Sequence, residues 1–340
     1  MAIAPVSWAT SASAQTADLR LVEELRIGRV DGSGPDVLAE VHDLAVDSSG
    51  RIYVLDPGWQ DVRLFDRDGR FIRQLAPEGD GPGERRHRRT GRVTWDEGRG
   101  RLWIDDGMFL SVLDSLGVEH ARDSRVPDFF RFPDRPGTVV VAVDSQGLVY
   151  EQQYRPHGDS VQSFVARGSV SPDYAISGDT LRLDALAMVQ GPPETRRTGS
   201  GRMSGTVTVT LSRPERDHIA WSISPEGTVW LADLNQPRLH ELTIAGDTLR
   251  TLDLPRREPA ELDISPEGWI LVRLAGDDSE STWEVMDNCG VYLGSVSVPY
   301  AVSVTEVGSA GVLHVVASDA LDINYVVRLR LDTEISRRTC

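Results

Sequence analysis

Short runs of alternating apolar and polar residues recur along this chain, and a polar turn ending on glycine interrupts each of them. The segments are VDSSGRIYVLD (46–56), WDEGRGRLWIDD (95–106), VDSQGLVYEQQ (143–153), ISPEGTVWLAD (223–233), ISPEGWILVRL (264–274) and VGSAGVLHVVA (307–317). Alternation with a period of two is typical of β-strands that have one buried face, and glycine supplies the backbone freedom that tight turns need. Each segment therefore predicts a β-hairpin.

A second hairpin is predicted after most of the first ones. The segments are LFDRDGRFIRQL (64–75), VLDSLGVEHA (112–121), ISGDTLRLDAL (176–186), IAGDTLRTLDL (244–254) and VMDNCGVYLGSV (285–296). The near-identity of ISGDTLR and IAGDTLR indicates that these segments are copies of one unit. Four antiparallel strands per unit, repeated six times at intervals of about 40–50 residues, predict an all-β, six-bladed β-propeller.

The two ends of the chain are expected to share the last blade. The sixth unit has three clear strands before Asp332, and residues 19–35 resemble the fourth strand of the first unit and its exit, residues 70–82. The N-terminal strand is therefore expected to complete the last blade and remove its open edge. The tail at 333–340 is the alternative candidate for that strand.

Residues 17–340 are predicted to form a single domain with one insertion. The turn glycines of the third and fourth units, Gly147 and Gly227, are further apart than the others. The excess falls in a long loop at about 151–160 and in an insertion at about 188–217. The one alternating run in that insertion is too short for a further blade.

The repeat resembles the NHL-repeat and related TolB-like six-bladed propellers. The likeness rests on a G-x-G-P exit, an aliphatic strand, D-x-x-G, and an aliphatic–aromatic–V-x-D run, and it extends over nearly all of residues 17–340. The resemblance implies the fold and places ligands on the face that carries the loops between second and third strands. It leaves the function open, because such propellers include lyases, lactonases, sensor domains and interaction platforms.

Charge and hydropathy exclude some classes of function. The net charge of −16 repels polyanions, so a nucleic-acid partner is not expected. No later stretch approaches the roughly 18 apolar residues of a membrane span. Residues 1–16 contain Ala12-Ser13-Ala14 and are predicted to be a secretion signal, which predicts a secreted or periplasmic protein. They lack a positively charged start, so the signal is either truncated or atypical. Cys289 and Cys340 could pair in such a compartment, but their number leaves pairing open.

The inner strands carry an unusual set of carboxylates. The position five residues before the turn glycine, adjusted by one residue in the second unit, is occupied by Ala45, Thr94, Ala142, Ser222, Asp263 and Glu306. Asp43 and Glu261 stand two positions earlier. Small residues suit a crowded inner ring, so these four carboxylates are candidate ligands for Ca²⁺ or another divalent cation in a central channel. The simpler interpretation is that they are solvated or paired with Arg92 and Arg273.

Other candidate binding residues lie in loops. Trp59, His157 and Asn235 belong to the predicted connections between second and third strands. Asp56, Asp106 and Asp233 share one register and are expected to cap turns. A basic run after the first blade is a candidate contact for an anion or an acidic partner, the simpler interpretation being a solvated loop. The run consists of Arg85, Arg86, His87, Arg88 and Arg89.

These observations favour an exported, monomeric binding module for a small-molecule ligand or an envelope protein. The alternative is a metal-dependent hydrolase or lyase, lactonase-like or amidating-lyase-like, with its site at the central channel. Zinc is not favoured, because His42 and His218 differ in register and no paired histidine spacing occurs. A serine hydrolase is not indicated, since the chain has no G-x-S-x-G elbow.

Overall fold

A computed structural model describes twelve ranges of the chain. They are residues 19–79, 81–84, 91–105, 109–124, 137–143, 148–157, 160–170, 176–182, 220–233, 237–255, 259–276 and 279–332. The described residues form β-strands joined by turns and irregular segments. They contain no helix that is long and apolar enough to cross a membrane.

The strands form four-stranded antiparallel sheets in chain order. The first two sheets contain β2 (Asp43–Val46), β3 (Ile52–Asp56), β4 (Asp61–Phe65) and β5 (Phe71–Leu75), then β6 (Arg92–Asp96), β7 (Arg101–Asp105), β8 (Phe109–Leu113) and β9 (Glu119–Ser124). The next two contain β10 (Gly137–Val143), β11 (Val149–His157), β12 (Ser160–Val170) and β13 (Ile176–Arg182), then β14 (Trp221–Ile223), β15 (Val229–Asp233), β16 (Arg238–Leu242) and β17 (Thr248–Asp253). The last two contain β18 (Pro259–Ile264), β19 (Ile270–Leu274), β20 (Ser281–Met286) and β21 (Tyr292–Val298), then β22 (Ala301–Val307), β23 (Val312–Ser318), β24 (Asn324–Leu331) and β1 (Leu21–Ile27).

The last sheet joins the two ends of the chain. β1 pairs antiparallel with β24, from Leu21 opposite Leu331 to Ile27 opposite Val326. The prediction that the N-terminal strand completes this blade is therefore confirmed. The tail at 333–340 lies outside the described residues.

The all-β propeller class is confirmed, but the predicted six equivalent blades are wrong. Five sheets are blades of the repeated type, with strands of three to eight residues. The sheet β10–β13 departs from the repeat, because β11 has nine residues and β12 has eleven.

The departure is clearest at the two nearly identical segments. IAGDTLR (244–250) turns between β16 and β17, where Gly246 has φ +94° and the Thr243 hydroxyl accepts the Asp247 N–H at 3.1 Å. ISGDTLR (176–182) is instead the continuous strand β13, paired along its whole length with β12. The position of Thr243 is taken by Ala175, which has no side-chain acceptor for such a turn.

The predicted loop at 151–160 is also wrong. β11 and β12 extend the sheet into this region and pair as far as His157 opposite Ser160. The extra residues therefore lengthen a hairpin rather than form an irregular loop. The predicted insertion at 188–217 lies outside the described residues.

The inner hairpins share one register. In every sheet, the inner-strand position singled out in the sequence pairs with the residue three positions after the turn glycine. The pairs are Ala45–Tyr53, Thr94–Trp103, Ala142–Tyr150, Ser222–Trp230, Asp263–Leu271 and Glu306–His314. The two columns therefore lie side by side on the inner two strands of each sheet.

Large side chains fill the spaces between neighbouring sheets. Trp103, Trp230 and Trp283 are almost completely buried. A buried aromatic side chain removes about 150–250 Å² from water, which makes these residues the main apolar contacts between blades. Tyr150 links the divergent sheet to the next blade, since it packs in the cluster of Trp221 and its hydroxyl donates to the Gly227 carbonyl at 3.4 Å.

The inner strands stand around the axis in chain order. β6 lies between β2 and β10, β18 lies between β14 and β22, and β22 lies against β2. The first, fifth and sixth sheets are therefore neighbours on one side of the axis, and the second, third and fourth sheets form the other side.

Asp56 shows why a carboxylate recurs after the second strand. Its side chain is fully buried, with Oδ2 accepting the Ala39 N–H at 2.9 Å and Oδ1 accepting the Glu40 N–H at 3.0 Å. Oδ1 also accepts the Trp59 N–H at 3.3 Å. The predicted capping role is confirmed for Asp56. Asp106 and the side chain of Asp233 lie outside the described residues.

Replacing Asp56 with Asn should reduce the free energy of unfolding by about 1–2 kcal/mol. The amide keeps one acceptor but turns an NH₂ group towards a buried N–H, which then lacks a partner. Urea unfolding measures the change. Asp66→Asn is the matched control, because Asp66 makes similar bonds to the Asp68 and Arg70 N–H groups in an exposed turn. Equal losses in the two variants would contradict a special role for Asp56.

Candidate ligand site in the central channel

A cavity of about 1080 Å³ runs along the axis of the propeller. Residues from the inner strands line it, together with Arg273 and Ala275 at the end of β19. All four carboxylates predicted from the sequence reach this one cavity: Asp43, Glu261, Asp263 and Glu306.

Asp43 is the carboxylate of the first blade. It is 7% exposed, and its Oδ2 accepts the Val93 N–H from the second blade at 2.9 Å. Burial raises the pKa of Asp43 to about 6, against the lowering effects of the Arg92 guanidinium and of the Val93 N–H. Asp43 is therefore mostly ionised at neutral pH and titrates just below it.

Glu261 is held by partners on both sides. Its Oε2 accepts a bond from Arg273 Nε at 2.9 Å, and its Oε1 accepts the Thr305 N–H at 3.3 Å. This part of the simpler interpretation, pairing with Arg273, is confirmed. The ion pair neutralises one carboxylate and one guanidinium of the channel wall.

Asp263 and Glu306 form no ion pair among the described residues, although the charges of Arg273 and Arg92 act on Asp263 from a distance. Burial raises the pKa of Glu306 to about 8, and the nearby carboxylates of Asp43 and Glu261 raise it further. Burial, followed by repulsion from Glu261 and Glu306, raises the pKa of Asp263 well above its ordinary value. Glu306 is therefore mostly protonated at neutral pH, and Asp263 keeps its proton to a higher pH than an ordinary aspartate. Oδ2 of Asp263 has no hydrogen-bond partner among the described residues.

His314 lies behind Glu306 in the same sheet. It is 4% exposed, and neither ring nitrogen has a partner among the described residues. Burial, assisted by the positive charge of Arg328, lowers the pKa of His314 to about 4. The ring is therefore neutral near physiological pH and supplies no positive charge to Glu306.

The opposite wall of the channel contains aromatic and apolar side chains beside the polar residues Arg92, Thr94 and Ser222. It includes Trp95 from β6, and Trp221 and Ile223 from β14. The Trp95 ring stacks on Tyr53 with centroids 4.9 Å apart, and its Nε1–H donates to Glu97 at 2.6 Å. Trp95 is therefore fixed in orientation before any ligand arrives.

These two walls define an acidic arc and an aromatic arc. The acidic arc consists of Asp43, Glu261, Asp263 and Glu306, from the first, fifth and sixth sheets. The aromatic arc consists of Trp95, Trp221 and Ile223, from the second and fourth sheets. Because the inner strands follow chain order around the axis, the two arcs face each other across the cavity.

The predicted metal site does not assemble as a compact cluster. Within the described ranges, no three His, Cys, Asp or Glu side chains come together in an arrangement that could hold a metal ion. Ca²⁺ takes six to eight oxygen ligands, so the four carboxylates line the channel without forming such a shell. Nε2 of His42 lies 3.0 Å from Oε1 of Glu40, and His218 lies outside the described residues.

The predicted loop residues do not join this site. Trp59 is 52% exposed, does not line the cavity, and lies with its ring centroid 5.4 Å from the Arg63 guanidinium carbon. His157 ends β11, and its side chain lies outside the described part of the chain, as does Asn235. The basic run Arg85, Arg86, His87, Arg88 and Arg89 lies outside it too, and its role stays a prediction.

The sequence reasoning missed the aromatic arc and Thr305. Trp95 and Trp221 are each adjacent to an inner-column residue, Thr94 and Ser222, and a pattern with a period of two points to alternate positions alone. Aromatic residues next to that column were the available signal. Thr305 gave no such signal, since threonine is common in strands.

The fold matches solved β-propeller structures at low sequence identity. Virginiamycin B lyase from Staphylococcus aureus is 8% identical, with a TM-score of 0.53 over 92% of this chain and 99% of that one. A predicted exported protein from Bacteroides fragilis is 10% identical, with a TM-score of 0.53 over 95% of this chain and 98% of that one. The WD40 β-propeller domain of Doa1 is 12% identical, with a TM-score of 0.50 over 92% of this chain and 97% of that one. At such identities the likeness establishes the fold alone.

No model of a known protein family matches the sequence, and no curated protein matches it. The four-stranded sheets and the solved structures of similar fold define the protein as a β-propeller. Membership in the NHL-repeat or TolB-like family stays a prediction.

Proposed function

We propose that this protein is an exported binding module that holds a small ligand in the central channel. The observation that carries the proposal is the cavity of about 1080 Å³ with an acidic arc facing an aromatic one. Small-molecule sites are concave, mostly apolar, and contain a few converging polar groups. Carboxyl groups with strongly shifted pKa values concentrate at such sites.

Two observations support export. Residues 1–16 have the composition and Ala-x-Ala pattern of a secretion signal. Cys289, in the turn between β20 and β21, is disulfide-bonded, and disulfides persist mainly in oxidising compartments. The likeness to a predicted exported protein agrees with this proposal.

The second candidate is a lyase or hydrolase acting in the same channel. It is favoured by the pKa values of Asp43, about 6, and Glu306, about 8, which suit a general base and a general acid near neutral pH. Virginiamycin B lyase shows that a chain of similar fold can be an enzyme. The metal-dependent form of this candidate has less support, since the described residues contain no three-ligand group.

The test of channel binding is a variant that fills the channel. Ser222 lines the cavity, so Ser222→Phe should place a ring in it and abolish binding of small molecules found by a thermal-shift screen of the wild type. Ser295→Phe is the matched control, because Ser295 is exposed on the outer strand β21. Hits should survive in the control. Hits that bind Ser222→Phe as tightly as the wild type would contradict the proposal.

A further inference from the structure

We infer that the channel binds an organic cation, an ammonium group joined to an aromatic or bulky apolar group, with the ammonium at Asp263 and Glu306. The apolar part of the ligand lies against Trp95 and Trp221. This inference rests on the proposed function and names the class of its ligand.

The charges of the channel wall favour a cation. Four carboxyl groups line the cavity and two guanidinium groups accompany them, those of Arg92 and Arg273. Arg273 is bonded to Glu261 at 2.9 Å, and Arg92 acts on Asp43 across the first and second blades. Asp263 and Glu306 form no ion pair of their own among the described residues, and four carboxyl groups outnumber two guanidinium groups in the cavity wall.

Unsatisfied acceptors in the same place also point to a ligand. Oδ2 of Asp263 and Oγ1 of Thr305 have no hydrogen-bond partners among the described residues. Thr305 is only 5% exposed and lines the cavity. Buried polar atoms without a partner are rare in folded proteins, and an ammonium group brings three donors.

The other arc favours an organic cation over a metal ion. A metal ion needs a compact shell of ligands, which the described carboxylates do not form. Indole rings bind apolar groups, and they also attract cations through the negative face of the ring. Trp95 is held in place by its stacking on Tyr53, so this surface is formed in advance.

Binding of the cation should release a proton. Glu306 holds a proton near neutral pH, because burial and neighbouring carboxylates raise its pKa to about 8, and the same causes raise the pKa of Asp263. An arriving ammonium ion stabilises the carboxylate form, so a carboxyl proton leaves for the solvent and an ion pair remains. The groups that face this pair are Asp43, Glu261, Arg92, Arg273 and the neutral ring of His314.

The experiment compares three probes of one shape and different charge. They are 2-phenylethylammonium, 2-phenylethanol and 3-phenylpropionate, measured by isothermal titration calorimetry near neutral pH. The ammonium probe should bind at least about tenfold more tightly than the other two, which corresponds to about 1.4 kcal/mol. Calorimetry in buffers of different ionisation enthalpy should show release of roughly one proton per bound cation.

Variants assign the effect to the acidic arc. Glu306→Gln and Asp263→Asn should each weaken binding of the ammonium probe about tenfold or more and reduce the proton release. Asp253→Asn is the control. Asp253 lies on the outer strand β17, its side chain is 82% exposed, and it pairs with Arg238 of β16. Circular dichroism checks that the variants fold. The proton release is measured on the wild type, so it tests the inference even if a variant fails to fold.

Three results would overturn the inference. They are equal or tighter binding of the neutral or anionic probe, unchanged binding in both amide variants, and no binding of any probe at about 10 mM. Each leaves the proposed function to the separate Ser222→Phe screen. Hits that are lost in Ser222→Phe while the ammonium probe fails would mean that the channel binds ligands of another class.

Discussion

Glu306→Gln is expected to make the protein more stable than the wild type at alkaline pH, and nearly equal to it at pH values close to the ordinary pKa of a glutamate. The folded-state pKa of Glu306 is about 8, raised from its ordinary value chiefly by burial. A glutamate in the unfolded chain loses its proton near pH 4–5, so across the interval up to about pH 8 the folded state holds a proton that the unfolded state has lost. Folding stability must therefore fall as the pH rises through that interval.

The size of the effect follows from the same shift. One pKa unit corresponds to about 1.4 kcal/mol, and water in a cavity of this size reduces the full value. We expect the difference in unfolding free energy between Glu306→Gln and the wild type to grow by roughly 3 kcal/mol between about pH 5 and pH 9. Urea unfolding at several pH values measures it.

The neighbouring groups do not obscure this comparison. Asp43 titrates in both proteins. Repulsion from Glu306 is one cause of the raised pKa of Asp263, and its absence from the variant stabilises the variant further at alkaline pH, in the same direction as the main effect. His314 has a pKa of about 4 in the folded state, and its titration in the unfolded chain is the same in both proteins, so it cancels in the difference. Parallel stability curves for the two proteins would show that Glu306 is not held protonated.

Glu24→Gln is a control of opposite sign. A hydrogen bond from Arg330 lowers the pKa of Glu24, so its ionised form stabilises the fold above the ordinary pKa of glutamate. That stability is lost as the pH falls through the lowered pKa. Glu24 is surface-exposed, so the expected loss in the variant is small.

The buried carboxyl groups of Asp263 and Glu306 reduce the stability of the fold at pH values where a carboxyl group in the unfolded chain is ionised. Ala45 and Ala142 occupy the positions that correspond to Asp263 and Glu306 in other sheets. A small residue there would avoid the burial of an ionisable group. Residues that break a local rule without a structural gain are the ones expected at functional sites.

The sequence predicted most of the propeller because its signals are local. The register of a hairpin is fixed by its turn, so the spacing from the glycine placed Asp263 and Glu306 opposite Leu271 and His314. The same spacing located the four carboxylates that line the channel. Resemblance between residues 19–35 and 70–82 located the closing strand, and both exits contain the same turn, with Val37 N–H bonded to Gly34 and Glu84 N–H to Gly81.

Features that depend on distant contacts could not be predicted in this way. Whether a G-D-T segment turns or continues as a strand depends on its partner, and β12 extends far enough to pair with all of ISGDTLR. The opposition of the two arcs depends on the order of sheets around the axis. The charge of Glu306 depends on burial, which no spacing in the sequence specifies.

The second large effect is expected at the closing strand. A variant that begins at Gly28, and therefore lacks β1, should lose about 5 kcal/mol of stability or fail to fold. β1 pairs with β24 from end to end, and Ile27 is 3% exposed between the last and first blades. Burying one such side chain contributes about 1.5–3 kcal/mol, and each backbone hydrogen bond about 0.5–1.5 kcal/mol. The sum approaches the whole stability of a typical domain, 5–15 kcal/mol in general.

Two comparisons separate closure of the ring from a mere loss of chain. A variant that lacks residues 1–18 keeps β1 and should unfold at the wild-type urea concentration. A peptide of residues 19–30, added to the variant that begins at Gly28, should restore part of the lost stability by pairing with the free edge of β24.

Without β1 that edge presents unpaired backbone groups, so association of the variant into dimers or aggregates is expected in size-exclusion chromatography. An unchanged unfolding midpoint in the variant without β1 would mean that the contacts of β22 and β23 with β2 close the ring without it.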